Sequence, residues 1–227
     1  MPHGYEINEL AKEESWRLFR LIGEMVTGFD RLAGIEPAVT IYGSARVTPD
    51  KEEYKQAVQI ARRLGELGFN VITGGGPGLM EAANKGALEA GVKSVGLNIE
   101  LPEYQPPNTY SNITISFNHF YIRKVMLVKY ASAFIVLPGG LGTLDEVTEV
   151  LNLIQTRKIK PFPVILFDSG YWSGFLEWMK NYSLARGYIS EEDLTLLRVC
   201  DTPEEVVEAV QKWYWNHEIC GRKAVAK

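Results

Sequence analysis

Residues 133–146 read Ala133-Phe134-Ile135-Val136-Leu137-Pro138-Gly139-Gly140-Leu141-Gly142-Thr143-Leu144-Asp145-Glu146. A short apolar run breaks at proline and glycine, then gives way to a helical pattern that we expect over Leu144–Gln155. The same strand, glycine turn and helix recur earlier in the chain. One strand ends Ile41-Tyr42-Gly43-Ser44-Ala45-Arg46, and another ends Thr73-Gly74-Gly75-Gly76-Pro77-Gly78-Leu79-Met80 before a helix over Glu81–Glu89. Short β-branched runs alternating with longer amphipathic ones are the mark of a parallel sheet covered by helices.

Working outward from these loops, strands are expected near Ala38–Tyr42, Asn70–Thr73, Ser94–Asn98, Ile113–Ser116, Ala133–Leu137 and Pro163–Phe167, with a weaker one near Leu196–Val199. Between the first two, Asp50 is placed to cap a helix whose first turn holds Glu52 and Glu53 and whose end holds Arg62 and Arg63. Gly68 then stops it, so the charges suit the helix dipole at both ends. The closing helix opens Thr202-Pro203-Glu204-Glu205, a capping residue followed by proline at the first helical position. A further amphipathic helix is expected over about residues 6–32, ahead of the first strand. No repeat or linker interrupts residues 1–227, which read as a single domain.

Composition narrows the function. With 24 basic and 28 acidic side chains the net charge is −4, which leaves room for a small cationic pocket but no broad basic face for nucleic acid. The three histidines, His3, His119 and His217, are scattered, and Cys200 and Cys220 form no metal-ligand spacing. A disulfide between the two cysteines is conceivable, but free thiols are the expectation. Neither an apolar signal stretch nor a run of the roughly 20 apolar residues that span a bilayer is present, so a cytoplasmic protein without a membrane partner is expected.

In an open parallel sheet, ligands bind beyond the carboxyl ends of the strands. Glycines there let the backbone approach a phosphate, and exposed helix N–H groups favour an anion. Any one loop could be only a tight turn; three in one chain favour a phosphate-bearing ligand. No Gly-Lys-Ser/Thr follows, so none is a Walker loop. Gly74-x-Gly76-x-Gly78 departs from dinucleotide spacing, and Asn98 rather than an acid ends the next strand.

The run Pro138 to Glu146 resembles the PGGxGTxxE motif of the Lonely Guy family of cytokinin-activating phosphoribohydrolases. Gly74-Gly75-Gly76-Pro77-Gly78-Leu79-Met80 is similar to that family's triple-glycine loop, and Phe120-Tyr121-Ile122-Arg123-Lys124-Val125-Met126 to its Arg-Lys helix. The resemblance spans roughly Ala38 to Phe167. Pro77-Gly78 and Glu81 depart from plant-type members and resemble the larger bacterial branch. The resemblance implies an α/β, Rossmann-like fold with a mostly parallel sheet flanked by helices on both faces. It also implies a homodimer that hydrolyses the N-glycosidic bond of AMP or N6-modified AMP, with no cofactor and no metal. On this basis Arg123 and Glu146 are the expected catalytic pair. Gly139, Gly140, Gly142 and Thr143 would hold the phosphate, with Gly43, Ser44, Gly74, Gly75, Gly76, Met80 and Lys124 lining the ligand. Members are often labelled lysine decarboxylases, yet no recognisable pyridoxal-phosphate lysine site stands in the sequence.

Cleaving an N-glycosidic bond passes through an oxocarbenium-like ribosyl cation, which a carboxylate can stabilise or attack with an activated water. Glu146 suits that role. The competing reading is structural, because Thr143-x-x-Glu146 has the spacing of a capping box. Arg123 and Lys124 lie near a helix start, where cations oppose the dipole, and a guanidinium there can grip phosphate or ribose with two parallel bonds. His119 could serve as a general acid but is expected to cap or pack. Glu100 and Glu103 are candidates for binding ribose, with exposed loop acids the favoured reading; Trp213, Tyr214 and Trp215 are expected to pack or line a dimer surface. A nucleotide or molybdenum-cofactor carrier on the same fold is the main rival. A dinucleotide-dependent oxidoreductase is disfavoured by the glycine spacing.

Overall fold

The computed structural model describes residues 14–101 and 107–216. Its elements are α1 (Glu14–Leu32), β1 (Ala38–Tyr42), α2 (Glu52–Glu66), β2 (Asn70–Thr73), α3 (Leu79–Glu89), β3 (Ser94–Ile99), β4 (Ile113–Phe117), α4 (Phe120–Lys129) and β5 (Ala131–Val136), followed by α5 (Leu141–Gln155), β6 (Val164–Phe167), α6 (Ser169–Trp178), α7 (Glu191–Leu194), β7 (Leu197–Cys200) and α8 (Pro203–Tyr214). A π-helical turn, Met179–Leu184, extends α6. The seven strands form one sheet in the order β4-β3-β2-β1-β5-β6-β7, and every neighbouring pair is parallel. This is the α/β, Rossmann-like arrangement.

Alternation along the strands divides the core in two. Val39 and Ile41 of β1, with Ala133 and Ile135 of β5, face Ile60, Leu64, Leu79 and Val206 of α2, α3 and α8. Ala38 and Tyr42, with Phe134 and Val136, face Leu32, Met126, Val147 and Trp172 of α1, α4, α5 and α6. A sheet buried on both faces needs the near-continuous apolar strands found here, since each side chain meets a helix whichever way it points. Thr40, fully buried, donates its hydroxyl to the Leu127 carbonyl at 2.7 Å and so keeps its polar atom bonded.

Chain order runs from β1 outward to β4, then returns to lay β5 against the other side of β1. That reversal makes a topological switch point, where the two loops after β1 and β5 diverge and leave a crevice.

Three local expectations are corrected. Lys51, not Asp50, occupies the N-cap of α2, with no side-chain capping bond; the Asp50 carboxylate is instead held by Thr48. Helix α5 starts at Leu141 rather than Leu144, with Gly140 as its N-cap, and the Leu144 N–H already donates to the Gly140 carbonyl at 3.0 Å. Thr143 and Glu146 therefore lie inside the helix, and the capping-box reading fails because Gly142 enters the helix instead of ending the loop. Of the two roles expected of His119, which stands at the N-cap of α4, packing is the one seen: its side chain makes no capping bond, and its ring centroid lies 5.4 Å from that of Tyr121. Elsewhere the cap signals hold. Thr202 and Glu205 form a capping box at α8 with Pro203 at the helix start, and Gly68, at φ +89°, follows the end of α2. The N-terminal helix is seen from Glu14; residues 6–13 of the expected span, like His3, Glu103, His217 and Cys220, lie outside the described residues. Cys200 is buried.

Candidate functional site

The three glycine loops are tied to one another. Ser44 is the knot: its N–H donates to the Pro138 carbonyl at 3.0 Å, and its own carbonyl accepts from the Leu79 N–H at 2.9 Å. Gly78 has φ +69°, and a Cβ there would overlap the Ser44 carbonyl and lie 2.7 Å from the Ala45 carbonyl carbon. Gly43 is glycine for a packing reason, since a Cβ would meet that of Leu79 at 2.9 Å.

The glycines of the β5 loop divide into two kinds. Gly139 has the Thr143 side chain where its Cβ would sit, and its carbonyl accepts from the Tyr171 hydroxyl at 2.5 Å. At Gly140 and Gly142 a Cβ would meet nothing within 4 Å, and Gly140 has extended backbone that any residue adopts. Neither fold nor strain requires glycine at these two exposed positions. Glycine at such positions leaves the backbone free for close approach from outside, and the N–H groups at the start of α5 carry the positive end of the helix dipole.

Beside this helix start lies a pair of charges. The Arg123 Nη2 is 3.4 Å from the Glu146 Oε1, with side chains only 12% and 14% exposed. Arg123 comes from the first turn of α4, one turn past His119, whose carbonyl accepts its N–H at 3.2 Å. Glu146 comes from the second turn of α5, which buries Thr143, Val147, Val150 and Ile154 at helical spacing. Burial pushes the Glu146 carboxyl up to about 7, even though the Arg123 charge pulls the other way. Burial likewise draws Arg123 below its ordinary value, opposed by the charges of Glu146 and Tyr42. The Arg123 guanidinium lies 5.3 Å from the Phe120 ring centroid, and its Nε is buried without a partner among the described residues.

Gly74 and Met80 join this cluster, for a Cβ on Gly74 would lie 2.9 Å from the Met80 Sδ and 3.5 Å from the Arg123 Nη1. Gly75 and Gly76 accept from Asn108, through their carbonyls, at 3.0 and 3.1 Å. Lys124 sits in a different setting, bound to Asp145 at 2.9 Å and Glu149 at 3.4 Å. Burial alone would lower it, but those two acids outweigh burial and raise its pKa. His119 turns to α1, with its Nδ1 3.1 Å from the Glu24 Oε1. Glu81 accepts from the Tyr54 hydroxyl at 2.9 Å, and Glu100 is exposed.

Sequence reasoning missed Tyr42, which is 2% exposed. Burial, then Glu146 and Glu149, raise its pKa well above the usual phenol range. Its place immediately before Gly43-Ser44, at the end of the central strand, was the available signal. In the sequence Asn98 stands out only as the absence of an acid, and Glu24 carries no signal. A cavity of about 210 Å³ lies elsewhere, between α5, α6 and the π-helical turn, and is lined by Leu151, Phe175 and Trp178 among others. Neither the glycine loops nor the Arg123–Glu146 pair borders it, and its walls are mainly apolar.

The molecule is thus a doubly wound α/β protein with a buried carboxylate–guanidinium pair in its switch-point cleft. Residues 80–210 match the family model described as "Possible lysine decarboxylase", and the chain belongs to that family, in which the Lonely Guy proteins fall. It is similar to the cytokinin riboside 5'-monophosphate phosphoribohydrolase LOG of Oryza sativa subsp. japonica, 26% identical over 74% of this chain and 71% of that one. A second relative, the cytokinin riboside 5'-monophosphate phosphoribohydrolase LOG3 of Arabidopsis thaliana, is 27% identical over 74% and 79% of the two chains. Among solved structures, the molybdenum cofactor binding protein of Rippkaea orientalis aligns with TM-score 0.56 at 24% identity, over 77% of this chain and 94% of that one. The molybdenum cofactor carrier protein of Chlamydomonas reinhardtii does so with TM-score 0.56 at 22% identity, over 78% and 97%. At those identities the likeness is one of fold.

Proposed function

We propose that the protein hydrolyses the N-glycosidic bond of a purine nucleoside 5'-monophosphate, AMP or an N6-modified AMP, giving free base and ribose 5-phosphate. The observation that carries this reading is the juxtaposition of the Arg123–Glu146 pair with the open start of α5. The phosphate lies against the N–H groups of Gly140, Gly142 and Thr143, where helix dipole and bare glycine backbone favour an anion. This fixes the ribose over Glu146. As the bond to the base lengthens, its electron pair leaves with the base and positive charge grows on the sugar. The carboxylate stabilises that charge and takes a proton from the attacking water, a proton that ends on the departing base nitrogen. A carboxyl near 7 suits a group that must exchange protons at neutral pH. Arg123 offers its unpartnered Nε and remaining N–H groups to phosphate or ribose oxygens. Gly43, Ser44 and the Gly74-Gly75-Gly76 loop form the wall, with Met80 against the base.

Two other chemistries fit less well. A Schiff-base lysine must lose its proton to react, and the acids around Lys124 hold its proton on. A carrier that binds a nucleotide or molybdenum cofactor without cleaving it has no use for a buried, raised carboxyl beside arginine, a pairing that costs stability. A single domain, assembled as a cytoplasmic homodimer, completes the reading. Its exposed apolar residues Phe19, Ile22, Phe120 and Val125 on the adjoining helices α1 and α4 give a second copy a surface to cover. The activity is tested by incubating the protein with a panel of nucleoside 5'-monophosphates and separating the products by chromatography. Free base and ribose 5-phosphate in equal amounts are expected; bound but intact nucleotide would favour the carrier.

A further inference from the structure

Asn98 closes β3 at the same carboxyl edge of the sheet as the glycine loops. Its side-chain Nδ2 is buried and has no hydrogen-bond partner among the described residues. Leaving an amide donor buried and unbonded is unfavourable, so such groups ask for an explanation. The neighbouring loop is shaped around this amide. Gly75 has φ +71°, and a Cβ there would overlap Asn98, lying 2.9 Å from that same Nδ2. The adjacent Gly74 leaves its space to Met80 and Arg123. Gly75 thus leaves room beside an amide donor without a partner among the described residues, and Gly74 leaves room beside the Arg123 Nη1. The nearby polar network does not explain the amide: Thr73, Asn84, Ser94 and Asn108 bond to one another.

Strand order supplies a ruler. From β5 the sheet runs through β1 and β2 to β3, three steps of about 4.8 Å or roughly 14 Å in all. Along that line stand the open glycines after β5, Tyr42 at the end of β1 in the field of Arg123 and Glu146, Gly74 with Met80 after β2, and Asn98 at the end of β3. A nucleotide with its phosphate on α5 and its anomeric carbon at Glu146 has only its base left to reach Asn98.

We infer that Asn98 is a base-recognition residue, its amide donating to an acceptor on the edge of the purine. The inference rests on the phosphoribohydrolase reading and extends it to the group that selects the base. Asparagine suits the task, because its amide pairs a donor with an acceptor and matches the donor–acceptor edge of adenine.

The test measures kcat/KM for AMP, the inhibition constant of ribose 5-phosphate and the melting temperature, in the wild type, Asn98→Leu and Asn98→Asp. Ribose 5-phosphate carries every part of the substrate except the base. Removing the donor should lower kcat/KM for AMP by roughly ten- to a hundredfold, the scale of one lost hydrogen bond to a buried group. Inhibition by ribose 5-phosphate should stay within twofold of wild type. Asn98→Leu should melt no earlier than wild type, since it removes an unsatisfied donor. If it fails to fold, the near-isosteric Asn98→Asp, which lacks the donor, carries the comparison. Equal losses for AMP and ribose 5-phosphate would overturn the inference, as would unchanged AMP turnover. Wild-type protein that neither cleaves AMP nor binds ribose 5-phosphate would overturn the nucleotide reading itself, a different result from either.

Discussion

Glu146 concentrates the chemistry and the cost in one side chain. Its carboxyl stands near 7 in the folded chain against 4.5 for the free group. Between those values the native state holds more protons than the unfolded one, so stability falls as pH rises through the window. Glutamine does not titrate, so in melts from pH 4.5 to 8 the Glu146→Gln curve should gain on wild type as pH rises, and parallel curves would contradict the shift. Activity should move the other way: kcat/KM of wild type rises through about pH 7 as the carboxylate forms, and Glu146→Gln loses that limb. Its turnover should drop on the order of a hundredfold or more, as for other acid–base groups, while AMP still binds, which isothermal calorimetry would show. Arg123→Lys should fail to restore turnover, because an ammonium cannot reproduce a planar two-point contact; near-normal kcat there would reduce Arg123 to a generic charge. The sequence showed both residues only through the resemblance of their motifs. Tyr42, Asn98 and Glu24 were hidden because each acquires its meaning from partners 23 or more residues away.

At the scale of elements, the start of α5 carries the claim about phosphate. Sequence signals missed it, since Gly140-Leu141-Gly142 looks like loop and Thr143 looks like a cap. Helix formation there is instead supported by the buried stripe of Thr143, Val147, Val150 and Ile154. Gly142 lies inside the helix with open space at its Cβ. Gly142→Ala should therefore stabilise the fold by about 0.5–1 kcal/mol. The same methyl should weaken AMP binding by intruding where the phosphate lies. A melt and a binding titration on one preparation would check both, and unaltered affinity would remove the phosphate from this helix. The β strands, by contrast, were legible nearly to the residue, because each is an apolar β-branched run bounded by glycine, proline or polar residues. Strand β5 starts two residues before its apolar run, as Ala131-Ser132 carry no strand signal. Helix α1 has a role its amphipathic pattern did not disclose. Glu24 accepts from the Asn118 backbone at 3.3 Å, from its side chain at 3.0 Å and from His119 at 3.1 Å, holding the turn that launches α4. Glu24→Ala should cost about 1–3 kcal/mol, as for other partly buried groups left unbonded. Chemical denaturation measures it, and an unchanged midpoint would mean α1 does not brace the arginine helix.

Across the whole molecule, two halves of a parallel sheet diverge at β1 and β5, and every residue of the proposed site lies on the carboxyl side of that divergence. Such a crevice is common to many binding proteins, and the molybdenum-cofactor carriers share the fold, so architecture alone does not choose between holding a nucleotide and cutting it. The choice falls to the buried Arg123–Glu146 pair. Binding energy gained at the phosphate, remote from the breaking bond, is available to lower the barrier at the anomeric carbon. Assembly belongs to this scale as well: if α1 and α4 cover each other in a second copy, sedimentation will give the mass of two chains, whereas a monomer at micromolar concentration would leave Phe19, Ile22 and Phe120 exposed to water. The most direct test of the central claim is a side-by-side measurement of kcat/KM for AMP and adenosine. The account predicts release of adenine from AMP and turnover of adenosine lower by at least on the order of a hundredfold, because adenosine cannot engage the start of α5. Equal turnover of the two, or binding of AMP with no adenine released, would contradict it.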